Sequence, residues 1–350
     1  MTTPITHPPN GAAHKAATAE SLEKARAESG NAYLPTVFNP ATIVSKGPLR
    51  VAKDRVVAAK SPDGEPGFNL YYEQHGTGPN RIIFLMGLNN SCFGWLSQVE
   101  EFGADPNYSV VVMDNRGYGN SDAPSTRYKT TDFALDVFEV LDHIGWTEER
   151  SVNLAGVSMG GMMALEVARM QPKRFKSLLL LSTTSGHSFN LPPIRGLGAI
   201  SQGMMQAILG IATPERRVDK MIELLFPEDW LNAPSASDAT GKRTNGEVTK
   251  ETFYWRIAFT RRPKLQGAMS QIMAALTHNV SDEHLKHIDE NIPRVRIITG
   301  DWDNLVRPSN SAHMAKVMSH ADYQVWPGGG HALHVQYPER FNKMLREFTQ

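Results

Sequence analysis

A single serine sits among glycines in "NLAGVSMGGMMALEV", residues 153–167. Gly156 and Gly160 flank Ser158 at minus two and plus two, where the strand-like run "SVNLAGV" gives way to the helical spacing of "GGMMALEV". Glycine weakens strands and helices alike, so its use here implies a turn too tight for a neighbouring Cβ. Such a turn lifts the hydroxyl out of the sheet, which is the logic of the nucleophile elbow, G-x-S-x-G. In a chain with 28 glycines the pattern alone is weak. The strand before it and the helix after it give it weight.

A serine hydroxyl is a poor nucleophile at neutral pH and needs a base, which in turn needs an orienting acid. Both follow in the order this chemistry uses on a parallel sheet. "IITGDWDNLVRP" ends a strand-like run and presents Asp303; Asp301 competes, but the G-x-x-D spacing from Gly300 favours Asp303. "VWPGGGHALHVQYPERF" ends the next run and presents His331 on a glycine-rich loop. His334, one helical turn beyond, reads as a packing or supporting residue. The other histidines lack a carboxylate partner or ligand spacing, so neither a metal nor a cofactor is expected. Cys92 is the one cysteine; it excludes an internal disulfide framework and reads as a buried filler.

The elements that must position these groups show the same design. "RIIFLMG" and "YSVVVMDNRG" are short, continuous apolar runs stopped by glycine, the habit of strands covered on both faces. Between 129 and 146, "YKTTDFALDVFEVLDHIGW" has helical spacing with Gly145 as a stop signal. Strand "FKSLLLLSTTS" follows the elbow helix, and "RVRIITG", a helix near 309–318, "ADYQVWPG" and a helix from Pro338 close the chain. This alternation predicts an α/β fold with a doubly wound, mostly parallel sheet. It is interrupted at 186–290, where "ETFYWRIAF" and "LQGAMSQIMAAL" are amphipathic helical pieces, so that stretch is expected to be a helical cap insertion. The core is then expected over 49–185 and 291–350. Residues 1–48, polar and poor in large apolar groups, read as a flexible extension.

With these motifs in view, "GVSMGG", "GDWDNLV", "GGGHALHVQYPERF" and "DNRGYGNSD", the chain resembles the α/β-hydrolase superfamily over about 65–349. The resemblance implies the α/β-hydrolase fold and a serine esterase-like member with a cap domain. It implies a Ser158–His331–Asp303 triad and an oxyanion hole from the backbone amides of Leu88 and Met159. Relatives usually carry His-Gly after the third strand; this chain has Met86-Gly87, and Gly87 is expected to matter for close approach to the nucleophile. Asp114, Arg116 and Asp122 lie in a family turn that organises the sheet edge. Relatives that open haloalkanes or epoxides use aspartate at the elbow, where this chain has serine. The expected activity is hydrolysis of a carboxylic ester, lactone or thioester through an acyl-enzyme. Acyl transfer, carbon–carbon bond hydrolysis with the same triad, or a non-catalytic ligand receptor on this fold are the alternatives.

Bulk properties narrow the partners. The formal net charge is +0, which gives no reason to expect nucleic acid or an anionic membrane surface. No window holds 18 uninterrupted apolar residues; the nearest, "GLGAISQGMMQAILGIA" at 196–212, is broken by Gln202 and Gln206. No membrane span is expected, and the absence of a signal-like amino-terminal run suggests a cytoplasmic protein. The expected partner is a small molecule with an apolar moiety; the methionine-rich stretch "GMMQAILGI" of the cap reads first as core, with one face able to give the substrate an adaptable apolar lining.

Overall fold

The computed structural model describes residues 36–55, 64–186, 193, 198, 214–238, 240–261 and 263–350. In chain order the elements are β1 (Ile43–Val51), β2 (Phe68–His75), β3 (Asn80–Leu85), α1 (Leu96–Ala104), β4 (Tyr108–Met113), α2 (Thr130–His143), β5 (Val152–Val157), α3 (Met159–Met170) and β6 (Phe175–Leu181). They continue with α4 (Pro214–Leu225), α5 (Glu228–Asn232), α6 (Asn245–Ala258), α7 (Leu265–Leu276), α8 (Asp282–Asn291), β7 (Arg294–Gly300), α9 (Pro308–Val317), β8 (Asp322–Trp326), α10 (Leu333–Gln336) and α11 (Pro338–Thr349).

One sheet of eight strands runs in the order β1-β2-β4-β3-β5-β6-β7-β8. The pairs β1–β2 and β2–β4 are antiparallel, and every pair from β4 to β8 is parallel. The expected doubly wound, mostly parallel α/β sheet is therefore the observed one. The continuous apolar runs explain it: successive side chains point to opposite faces, so both faces are apolar only if both are covered. Ile83, Val111 and Leu180 enter one core with residues of α2, α3, α8 and α9. Their neighbours Ile82, Val110 and Leu179 enter the other, with α1 and α11. The α11 contribution, Phe341, Met344, Leu345 and Phe348, falls at i, i+3, i+4 and i+7, one stripe of a helix.

Two boundaries differ from expectation. β1 begins at Ile43, inside the stretch read as a flexible extension, and pairs with β2 from Ile43 to Val51. Its pattern "IVSKGPLRV" carries Pro48 and is only partly buried, which an edge strand tolerates and which hides it from a search for apolar runs. The rest of that expected extension, residues 1–35, lies outside the described residues. At the other boundary, α8 falls within the expected cap, 186–290, yet Leu285 and Ile288 are fully buried in the sheet core. α8 packs against α3 and α9 and is therefore part of the sheet layer. Between β6 and α8, helices α4 and α6 share a smaller cluster built on Val218, Ile222, Phe226 and Phe253. The run at 196–212 lies outside the described residues apart from Gly198. Among the described residues no helix is long and apolar enough to cross a membrane.

Candidate active site

Ser158 joins β5 to α3 with φ 56° and ψ −123°, a conformation that L-residues adopt only under constraint. The constraint is visible. The Ser158 amide donates to the Leu181 carbonyl at 2.9 Å, and its own carbonyl accepts from Thr183 Oγ1 at 2.7 Å and from the Gly161 amide at 2.9 Å. A Cβ on Gly156 would lie 2.3 Å from the Gly160 carbonyl oxygen, and one on Gly160 would lie 2.1 Å from that of Leu85. Both glycines thus permit an approach of backbone to backbone that no other residue allows. Gly87, after β3, would place a Cβ 3.1 Å from Ser158 Cβ, the close approach expected of it.

Asp303 and His331 come from the turns after β7 and β8. His331 Nδ1 lies 2.9 and 2.8 Å from the two Asp303 carboxylate oxygens, and both residues are buried. Since a carboxylate only accepts, Nδ1 carries the proton and the lone pair is left on Nε2. Asp303 Oδ1 also accepts from the amides of Leu305 and Val306, each at 2.9 Å, so the carboxylate is fixed before it meets the ring. The histidine loop is tied down by the His331 amide donating to the Leu225 carbonyl at 2.8 Å and the Gly330 amide donating to Gln336 Oε1 at 2.7 Å. Asp301, the competing acid, is exposed and takes no such position.

Ser158 and His331 line one cavity of about 440 Å³, with Gly87, Leu88 and Met159 on the same wall. No hydrogen bond joins Ser158 Oγ to the His331 ring, a looseness common in sites without substrate. Met159 opens α3, so its amide is one of the first-turn donors without an intrahelical acceptor. The loop carrying Leu88 is held without the histidine usual in relatives. The Met86 carbonyl accepts from Asn115 Nδ2 at 2.9 Å, and the Asn89 amide donates to Gln271 Oε1 at 2.9 Å. Beyond it, Ser91 Oγ and the Cys92 amide both donate to Asp114 Oδ1 at 2.7 Å. Asp114 therefore braces this loop. Cys92 is buried, and burial, with the charge of Asp114, pushes its thiol well above the ordinary value, as suits an inert filler.

The remaining wall is apolar and rich in methionine: Met86, Met159, Met162, Met221, Met269 and Met273 all reach it. His334 lines it too, its ring tilted 39° to that of Trp95 with centroids 4.4 Å apart, the packing role expected of it. Sequence patterns gave no hint of Arg256, a buried side chain of α6 that also lines the cavity. In "ETFYWRIAF" it read simply as one polar position of an amphipathic helix; the available signal was its i+3 spacing from Phe253, on one helix face. Among the described residues no group of three or more His, Cys, Asp or Glu side chains is placed to hold a metal.

A mostly parallel eight-stranded sheet with a strained serine between strand and helix defines the α/β-hydrolase fold. The alpha/beta hydrolase family model matches residues 75–344, and the chain belongs to that family. Its relatives include a candidate carbamate hydrolase of Caulobacter vibrioides, 28% identical over 286 residues, 80% of this chain and 95% of the relative. Among solved structures, a thermophilic esterase from Thermogutta terrifontis superposes with a TM-score of 0.64 at 21% identity, covering 86% of this chain and 97% of its own. A meta-cleavage product hydrolase from Pseudomonas fluorescens gives 0.58 at 18% identity, covering 81% and 94%. Similarity at this level shows a shared fold, and the three names span different substrates.

Proposed function

We propose that the protein is a serine hydrolase that cleaves a carboxylic ester, lactone or thioester with an apolar part through an acyl-enzyme. The observation that carries the reading is His331, paired with buried Asp303, lining the same cavity as a serine held at positive φ. In this reading Ser158 Oγ attacks the carbonyl carbon while His331 Nε2 takes its proton. The imidazolium so formed is stabilised by Asp303, whose carboxylate keeps the ring in one tautomer. The negative charge that collects on the carbonyl oxygen is met by the amides of Leu88 and Met159. Collapse of the tetrahedral intermediate breaks the bond to the leaving group, which leaves with the proton from His331. Water then attacks the acyl-enzyme by the same route, its proton passing to His331 and on to Ser158, and the acid is released.

The test is Ser158→Ala assayed on short p-nitrophenyl esters, beside labelling of the wild-type protein by a fluorophosphonate. Turnover is expected to fall by roughly 10³-fold or more, with the label found on Ser158 alone. Turnover in the variant equal to wild type, or no label on Ser158, would remove the serine from the mechanism.

A further inference from the structure

Arg256 is 6% exposed, yet among the described residues no carboxylate pairs with it. Its one hydrogen bond among the described residues runs from Nη1 to the Phe93 carbonyl at 3.2 Å, and its guanidinium lies 4.2 Å from the Phe253 ring centroid. A guanidinium carries five N–H donors, so most of its capacity is unused. The other buried arginines are answered: Arg116 by Asp136, Arg174 by Asp142. Taking a cation out of water costs several kcal/mol unless a partner returns it. Burial lowers the Arg256 pKa to about 10, which still leaves it a cation at neutral pH.

The cavity does nothing to neutralise that charge. Among the described residues no Asp or Glu belongs to its lining, and Arg307, a second cation there, is exposed. His334 adds no second positive charge: burial, then the charges of Arg256 and His331, holds its pKa near 3. The position of Arg256 is itself built. Thr244 and Glu247 close a reciprocal cap at the start of α6, Glu247 Oε2 accepting from the Thr244 amide at 2.8 Å. At the far end Asn120 Nδ2 donates to the Phe259 carbonyl at 3.2 Å, tying the helix to the loop after β4. A rigid helix thus holds an unanswered cation in an apolar cavity that also contains Ser158 and His331.

We infer that Arg256 receives a carboxylate borne by the substrate, so that the substrate class is a short monoanionic acyl ester, lactone or thioester. The inference rests on the serine-hydrolase reading for its chemistry and on the cavity alone for its binding. A cavity of about 440 Å³ has room for a short acyl chain running between Arg256 and Ser158. The methionine wall would cover the methylenes between them. A planar, bidentate donor suits a carboxylate better than an ammonium would.

The experiment compares two esters that differ by one methyl group: p-nitrophenyl hydrogen glutarate, an anion, and p-nitrophenyl methyl glutarate, which is neutral. The ratio of their kcat/KM values is measured for the wild-type full chain, Arg256→Met and Arg256→Lys. The wild type is expected to favour the anion, and Arg256→Met to lower the ratio on the order of 10- to 100-fold, with Arg256→Lys between. A residue that only held the fold, or that met the oxyanion, would depress both esters alike and leave the ratio fixed. That result overturns the inference. Calorimetry on Ser158→Ala, with monomethyl glutarate against dimethyl glutarate, reads binding without turnover. Binding of the anion at least tenfold tighter, lost when Arg256→Met is added, supports the site even if the serine reading fails. Equal or undetectable binding of both refutes it.

Discussion

Arg116 and Arg256 are both buried, 3% and 6% exposed, and both lie against aromatic rings. Their polar surroundings differ. Arg116 makes a two-pronged pair with Asp136, Nε to Oδ2 and Nη2 to Oδ1, each at 2.6 Å. Burial, the largest single influence, lowers its pKa, but the charge and hydrogen bonds of Asp136, with the charge of Asp132, together outweigh it and the value is raised. Arg256 has a single carbonyl and a lowered pKa. The first arginine serves the architecture, joining the loop after β4 to α2. The second sits where the architecture leaves a charge for something else to meet. A buried ion is thus informative chiefly through what does or does not answer it.

The largest expected effect comes from making Arg116 resemble Arg256. Asp136→Asn would strip the charge from the partner of Arg116 and also of Arg55, whose Nη2 lies 2.5 Å from Asp136 Oδ1. Breaking such a pair leaves an uncompensated buried cation, a loss of about 3–5 kcal/mol. Urea unfolding of the variant should show it as a lower midpoint with little change in slope. A loss below about 1 kcal/mol would mean that the pair is not what holds Arg116, and the contrast would fail.

The histidines divide in the same way, with a smaller effect. His331 has a carboxylate. His334 and His278 are both buried, and each is pushed down to about 3: His334 by burial and then by the charges of Arg256 and His331, His278 by burial against an opposing backbone contact at Thr184. In the unfolded chain both titrate near 6.5. Below that pH the unfolded state takes protons that the fold refuses, so this stability is complete above about pH 6.5 and drains away toward pH 3. Each group should cost about 1.5 kcal/mol between pH 6.5 and pH 5. Unfolding curves at the two pH values, for wild type and His278→Gln, measure one group's share as the difference in their losses. Identical losses would show that His278 is protonated as readily in the fold as outside it.

How much of this could be read from sequence follows the same line between local pattern and assembled surroundings. The strands with two covered faces were legible because every residue from Val110 to Val112 is apolar and each alternates between two cores. Ser158, Asp303 and His331 stood out as candidates because each follows the carboxyl end of a strand, and those ends share one edge of a parallel sheet. β1 was hidden because an edge strand needs only a partial apolar pattern. α8 was hidden because "DEHLKHIDEN" buries only Leu285, Ile288 and Asp289. The methionine stretch singled out at 203–211 lies outside the described residues, and the observed methionine wall comes from six separated positions that no local pattern joins. Arg256 depended on which face of α6 meets the loop after β3, and spacing within the helix carries no information about that.

The smallest expected effect on stability is the one that makes Arg256 unlike Arg116. Arg256→Met removes a desolvated charge, one hydrogen bond to Phe93 and one contact with Phe253. A hydrogen bond to a charged group contributes about 1.5–3 kcal/mol, and the cation–ring contact about 0.5–2 kcal/mol. Against these stands the cost of keeping an unpaired guanidinium out of water, several kcal/mol. A methionine of similar length would join the six already on that wall, so its apolar volume is accommodated. The opposing contributions nearly cancel, and the variant should unfold within about 1 kcal/mol of wild type, well short of the loss in Asp136→Asn. A loss of about 3 kcal/mol or more would place Arg256 with Arg116 as part of the frame and erase the distinction between them.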